Sequence, residues 1–253
     1  MKPELLVVGI GGKRAEVKVR SRLASGQRPP AALLMLGFAG AIDPTLETGD
    51  LVLASRYYRA DSVENPHHAA VAKGDLPAPP FAKGGNGGGY LTPDPAMLSW
   101  AVDAAGDMGQ PVAHVDSLTV DDPVTTPAAK RSLARGYPVG IVDMEDHWVA
   151  AIAREAGVPF LSARVVLDPA DQALPGYLPG LARSRIKAVL GTAAMPWRIP
   201  ALAGLARQLP SAQRVLTRFA LNFLARAANG DPAHPYPAAS SGIRNGLDWS
   251  VLR

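Results

Sequence analysis

The chain contains no cysteine in its 253 residues. That excludes a disulfide framework, thiolate metal ligation and a thiol nucleophile, and it fits a reducing compartment. Long apolar runs are also missing. The longest stretch without charge, Pro29 to Ile42, is too short and too broken by proline and glycine to span a bilayer. Lys2 and Glu4 lead straight into a short apolar strand, so no secretory signal is expected. A soluble, cytoplasmic protein is the expectation. Acidic residues are absent between Asp171 and Asp231, an interval that holds Arg183, Arg185, Lys187, Arg198, Arg207, Arg214, Arg218 and Arg226. Against a net charge of +4, that interval carries +8 and leaves the remainder at −4. Nearly a quarter of the molecule is therefore basic, which points to an anionic partner or surface.

Apolar residues make up 47% of the chain, enough for a substantial core and too many for wholesale disorder. The first 170 residues alternate strand-like and helix-like segments. Strands are expected near 4–10, 31–38, 49–56, 113–121, 138–143 and 158–167, several of them apolar throughout, as in sheets covered on both faces. Helical patterns fall near 12–26, 94–108, 127–135 and 145–156. The last places Trp148, Ile152 and Ala156 on one face and stops at Gly157 and Pro159. The alternation predicts a three-layer α/β domain over residues 1–176 with a central mixed sheet. Residues 61–92, rich in glycine and proline, read as a long loop, either a lid or a plain surface excursion.

Residues 177–229 read as a basic, amphipathic helical extension. Ile186, Val189, Leu190 and Ala193 recur at helical spacing, Pro200 and Pro210 punctuate two further segments, and Val215, Phe219 and Phe223 form a stripe apart from Arg214 and Arg218. Two readings stand: a peripheral membrane contact through 183–228, or helices packed on the domain with a solvated basic face. Nucleic acid is not an expected partner. Trp197, Phe219 and Phe223 are the aromatics accompanying these arginines, and they follow apolar helical spacing rather than an exposed stacking platform. Residues 230–253 read as an extended tail.

In open α/β sheets ligands bind beyond the carboxyl ends of strands. Four such ends carry unusual residues: Gly9-Ile10-Gly11-Gly12, then Gly37 to Asp43, then Asp143-Met144-Glu145, and finally Leu167-Asp168. Glycines after a strand let backbone N–H groups approach an anion, although tight strand-to-helix turns also use glycine for packing. Two carboxylates on neighbouring strand ends suggest acid–base chemistry on a small organic substrate, one ionised and one with a raised pKa. The structural alternatives are helix-start acids for Glu145 and Asp146 and a turn residue before Pro169 for Asp168.

The stretch "LGFAGAIDPTLETGDLVLASRYY" resembles a signature of the nucleoside phosphorylase and methylthioadenosine nucleosidase superfamily, and "VDMEDHWVAAIAREAGVPFLSARVVLDPADQ" resembles that family's second signature. "RIKAVLG" and "IPALAGLAR" are similar to the C-terminal extension of hopanoid-associated phosphorylases. The resemblance implies the nucleoside phosphorylase-like fold and cleavage of a purine N-glycosidic bond, in the narrower case release of adenine from adenosylhopane. It implies no cofactor, with phosphate a candidate co-substrate, and a homo-oligomer, peripheral in the narrower case on the inner face of the cytoplasmic membrane.

Residue by residue, it makes Glu145 the carboxylate that holds the ribose hydroxyls and Asp168 the acid at purine N7. Met144 packs on the sugar, Phe38, Ala39 and Gly40 form the turn beside it, and Pro123 and Val124 lie against the base. Arg164 belongs near the nucleophile. The chain departs from the pattern in places. About sixty residues that precede the first strand in the family, including a glycine loop for phosphate or an acid that activates water, have no counterpart. Phe38 and Leu167 stand where hydroxyl residues are usual, and the base-stacking aromatic is replaced near Pro123. Three outcomes are open: an enzyme with a rebuilt nucleophile site, in which Gly9, Gly11, Gly12 and Arg14 join Arg164 as an anion cradle; an enzyme with a remodelled, more apolar pocket for a lipid-linked nucleoside, to which Phe38 and Leu167 contribute; or an impaired relative that binds ligand.

Overall fold

A computed structural model describes residues 3–60, 89–174 and 199–229, with side chains of the last segment from residue 207 onward. The 61–88 part of the expected loop, the periodic segment around Ile186 to Ala193 and the tail lie outside the described residues. Ten elements follow in order: α1 (Gly12–Leu23), β1 (Leu33–Ala41), β2 (Leu51–Arg59), α2 (Pro95–Gly106), β3 (Val112–Thr119), α3 (Pro127–Gly136), β4 (Ile141–Asp143), α4 (Asp146–Glu155), β5 (Phe160–Asp168) and α5 (Ile199–Asn229).

Local chemistry explains the boundaries. The Asp94 carboxylate accepts the Met97 N–H at 3.0 Å and Pro95 opens α2. Thr126 does the same for Ala129 at 3.1 Å ahead of Pro127 in α3. Both follow the preference for an oxygen-bearing N-cap and proline in the first turn. Past the end of α4, Gly157 takes a left-handed φ of 65°, which a side chain would resist.

The strands form a mixed sheet that curls closed in the order β1-β4-β3-β2-β5. β1 runs parallel to β5 and antiparallel to β4, and β2 runs parallel to β3 and antiparallel to β5. Ala39, Ala41, Val52, Ile141 and Val166 fill one cluster among the strands. On one side α1 and α4 bring Ala15, Val19, Val149, Ile152 and Ala153 against Leu33, Met35, Tyr57 and Phe160. On the other, α2 and α5 bring Met97, Trp100, Ala104, Phe219 and Phe223 against Leu53, Leu161, Ala163 and Val165. Helices thus cover both sides of a mixed sheet, as expected.

Three expectations need correction. Residues 5–9 form no strand of the sheet; Leu6 and Val8 pack against the α1/α4 cluster, while Leu5 and Val7 remain 39% and 43% exposed. Pro210 does not separate two segments, because it lies inside one 31-residue helix. Its exposed position leaves the missing N–H bond on the solvent side, and Pro200 falls in the first turn, where no N–H partner is required. In α4 the inward face is Val149, Ala150, Ile152 and Ala153, with Trp148 only half-buried and Ala156 exposed at the C-cap.

The arginine-rich helix has a divided surface. Phe219 and Phe223 are fully buried, with the Phe223 ring 6.4 Å from that of Trp100. Arg226 pairs with Asp107 of α2 at 2.8 Å, whereas Arg207, Arg214 and Arg218 lie on the exposed face. The apolar stripe is therefore spent on the protein core and is not available to enter a bilayer. Phe223→Ala should cost about 3–5 kcal/mol of unfolding free energy. Urea denaturation monitored through Trp100 fluorescence checks this; a change within experimental error would place α5 outside the cooperative core.

Candidate active site

A cavity of about 460 Å³ opens at the ends of β1, β4 and β5. Its wall includes Gly37 to Gly40, Pro123, Val124, the Asp143-Met144-Glu145 turn, Arg164, Leu167, Asp168 and Leu174, and the 7–10 segment closes one side.

The floor is built from buried charge. β4 ends at Asp143, whose carboxylate accepts the backbone N–H groups of Glu145 and Asp146 at 2.6 and 2.7 Å. Ser117 and Thr119 hydroxyls from neighbouring β3 complete its shell. Asp143 therefore shapes the turn and satisfies orphan N–H groups at the start of α4. Glu145 comes next and is 7% exposed. Its Oε1 accepts the Gly11 N–H at 2.7 Å, which ties the turn to the head of α1. Burial pushes the Glu145 carboxyl up, against the opposing pull of Arg164.

Arg164 rises from the middle of β5 and is 3% exposed. Its Nε donates to Asp146 Oδ1 at 3.0 Å, and its Nη2 reaches the same oxygen at 2.5 Å. Glu145 Oε2 lies 3.3 Å from Nη2 and Asp143 Oδ1 3.6 Å. Burial alone would lower the Arg164 pKa; the Asp146, Asp143 and Glu145 charges reverse that and hold it above its ordinary value. Asp146, fully buried, accepts the Ser162 hydroxyl on that same oxygen at 2.7 Å.

Asp168 lines the same cavity from β5. Contrary to expectation, β5 is not the neighbour of β4, because β1 pairs with both and lies between them. β5 carries one extra residue here, so Ala39 pairs with Val166 but Gly40 with Asp168. Such a bulge re-aims the following side chain. Gly40 is required by the result, because a Cβ there would lie 2.9 Å from Asp168 Oδ2. Gly37 serves Arg164 likewise: its Cβ would meet Nη1 at 2.2 Å. Lys130 of α3 is wholly buried and donates to Asp168 Oδ2 at 2.6 Å and to the carbonyls of Asp168 and Pro169. Burial raises the Asp168 pKa to about 6 although Lys130 pulls it down. An acid so placed exchanges its proton near neutrality.

The model of the Phosphorylase superfamily matches residues 3–190. The chain belongs to the phosphorylase superfamily. It is 28% identical over 168 residues to a curated relative, the 5'-methylthioadenosine/S-adenosylhomocysteine nucleosidase of Halalkalibacterium halodurans, a match covering 65% of this chain and 66% of that one. Among solved structures it is similar to futalosine hydrolase of Helicobacter pylori (16% identity, TM-score 0.62, covering 87% of this chain and 77% of that one). It is equally similar to the 5'-methylthioadenosine/S-adenosylhomocysteine nucleosidase of Helicobacter pylori with butyl-thio-DADMe-Immucillin-A (16%, TM-score 0.62, 87% and 78%). These likenesses concern the fold.

The cavity of this phosphorylase-superfamily chain brings together Phe38, Ala39, Gly40, Pro123, Val124, Met144, Glu145, Arg164, Leu167, Asp168 and Gly9. Gly11 stands behind that wall, its N–H held by the protein's own Glu145 carboxylate. Gly12 and Arg14 do not line the cavity. Gly12 is a packing glycine, since a Cβ would lie 2.0 Å from the Trp148 ring, and Arg14 is exposed on α1. The expected cradle for an external anion is therefore not assembled among the described residues, because Gly11 and Arg164 both serve internal carboxylates.

Lys130 was not anticipated, yet its position three residues before Leu133 puts it on the inward face of α3. Lys130→Met should raise the midpoint of the Asp168 carboxyl above about 6, since the positive charge that opposes burial is gone. Carbon-13 NMR titration of the aspartate carboxyls checks this, and a midpoint that falls would contradict the pairing.

Proposed function

We propose that the chain hydrolyses the N-glycosidic bond of a purine nucleoside. The observation that carries this reading is the placing of Glu145 and Asp168 around one cavity, with Met144, Phe38 and Leu167 also on its wall. Glu145 accepts the ribose hydroxyls and Asp168 gives a proton to N7 of the departing base. The bond from C1′ to N9 breaks, its electron pair leaves with the protonated base, and water adds to C1′ and releases a proton. In the buried floor three carboxylates surround one guanidinium. That negative excess favours an oxocarbenium-like sugar. It also disfavours a phosphate dianion, as Arg164 is the only cation among the described lining residues and its charge is already shared. Water is therefore the acceptor.

The substrate in this reading carries a large apolar group, adenosylhopane being the candidate suggested by the basic extension. Val7, Val8, Ile10, Phe38, Val124, Leu167 and Leu174 give the cavity apolar walls, and Ile10 is 52% exposed. Arg207, Arg214 and Arg218 on the open face of α5 supply the membrane contact, each adding about 1 kcal/mol at an anionic surface. A second reading, a nucleoside- or lipid-binding protein without turnover, is favoured by one observation. Gly11 N–H and Arg164, the groups expected at the nucleophile, are both engaged internally.

Incubation with adenosine and with adenosylhopane-bearing membranes should release adenine and a free reducing sugar at a rate unaffected by phosphate. Turnover should fall as pH rises through about 6, where Asp168 loses the proton it donates. Asp168→Asn should abolish release while sparing binding by calorimetry. Binding without release in the unsubstituted protein would establish the second reading, and a sugar phosphate as product would overturn hydrolysis.

A further inference from the structure

Asp146 does not line the cavity, yet it makes the shortest contact of the charged cluster there. Two donors of Arg164, Nε at 3.0 Å and Nη2 at 2.5 Å, converge on Asp146 Oδ1. The Ser162 hydroxyl fixes that oxygen at 2.7 Å, and Ser117 lies 3.4 Å from the other. Glu145, the neighbour that does line the cavity, receives only a 3.3 Å contact from Nη2 at its Oε2. Its Oε1 is held by the Gly11 N–H. A guanidinium and a carboxylate free to choose would form a bidentate pair at about 2.7–2.9 Å. Arg164 and Glu145 are close enough for this with a small rotation, and burial of both groups would strengthen the pair.

We propose that Asp146 is a positioning residue that parks Arg164 beneath the cavity floor and so leaves Glu145 Oε2 available for a substrate hydroxyl. Deprived of Asp146, Arg164 turns to Glu145, the nearest remaining carboxylate, and occupies the oxygen that the substrate uses. The buried ion pair then has a role in recognition, since it sets which of two adjacent acids the arginine takes. Asp146 acts through Arg164 and touches no substrate. The sugar-binding role of Glu145 rests on the function proposed above; the restraint of Arg164 does not.

Asp146→Ser removes the charge and shortens the side chain at a helix-start position, where serine is tolerated. Asp146→Asn keeps an oxygen for Arg164 Nε and guards against a variant that fails to fold. A crystal structure of either folded variant should show Arg164 Nη2 moved onto Glu145 Oε2, with the larger shift in Asp146→Ser. Calorimetry with adenosine, 2′-deoxyadenosine and 3′-deoxyadenosine supplies the second readout. The unsubstituted protein should prefer adenosine, and Asp146→Ser should lose about tenfold in adenosine affinity, the equivalent of one hydrogen bond to a charged group. The deoxy analogue that lacks the hydroxyl held by Glu145 should change little, so the preference collapses. A general loss of packing would weaken all three ligands together, and that result would overturn the proposal. Arg164 unmoved in the Asp146→Ser structure would overturn it as well. If the unsubstituted protein binds no nucleoside, the sugar-binding reading fails, while the position of Arg164 in the variants still decides the restraint.

Discussion

Arg164 is a guanidinium almost wholly withdrawn from water, and much of the molecule is arranged around that fact. A buried cation is tolerated only when paired and hydrogen-bonded, and removing one partner of such a pair is strongly destabilising. Here the partners come from one short turn, Asp143 to Asp146, at the junction of β4 and α4. Gly37 on β1 leaves the space the guanidinium occupies. Glu145 extends the network to the head of α1 through Gly11. One charge thus couples three strands, two helices and the turn between β4 and α4, and it fixes the floor on which a substrate would rest.

The same cavity uses a second buried pair with a different balance. Lys130 and Asp168 meet at 2.6 Å, yet burial still leaves the carboxyl close to neutrality in its proton exchange. One carboxylate cluster is thereby held together by a shared arginine, while Asp168, lining the same cavity, exchanges its proton near neutrality. Pairs of acids whose surroundings separate their protonation behaviour are the usual basis for dividing acid and electrostatic roles. Phe38 and Leu167, both half-buried, give the same cavity part of its apolar wall.

Much of this was legible in the sequence, for identifiable reasons. Strands β1 to β5 announce themselves as apolar runs bounded by turn residues, and α2 to α4 carry N-cap or stop signals that the structure uses. Part of the cavity lining was legible because Gly9, Gly37 to Gly40, Asp143 to Glu145, Leu167 and Asp168 sit at or beside the ends of apolar runs, whereas Pro123 and Val124 came from the family resemblance alone. What was not legible depends on contacts between distant segments. Nothing local marks Gly11 as the donor to Glu145, 134 positions away, so the glycine turn read as a cradle for an external anion. Asp146 read as a helix-start acid, which it is, but its bond to Arg164 depends on the register of β5 beside α4. A charged residue amid the buried run of β5 was nevertheless a sign that a carboxylate had to meet it. Residues 5–9 looked like a strand because they are apolar, whereas a strand also needs a ladder, and the described residues provide none. Pro210 looked like a break because the tertiary packing of Phe219 and Phe223, which holds α5 in place, is invisible to local propensity.

The central claim is that one cavity joins a sugar-holding carboxylate to a base-protonating acid. A crystal structure with a non-cleavable purine nucleoside analogue tests it most directly. The account predicts ribose hydroxyls within hydrogen-bonding distance of Glu145 Oε2 and purine N7 within that distance of the Asp168 carboxyl, with the Phe38 and Leu167 side chains against the ligand. An analogue seated elsewhere, or with its base turned away from Asp168, would contradict it.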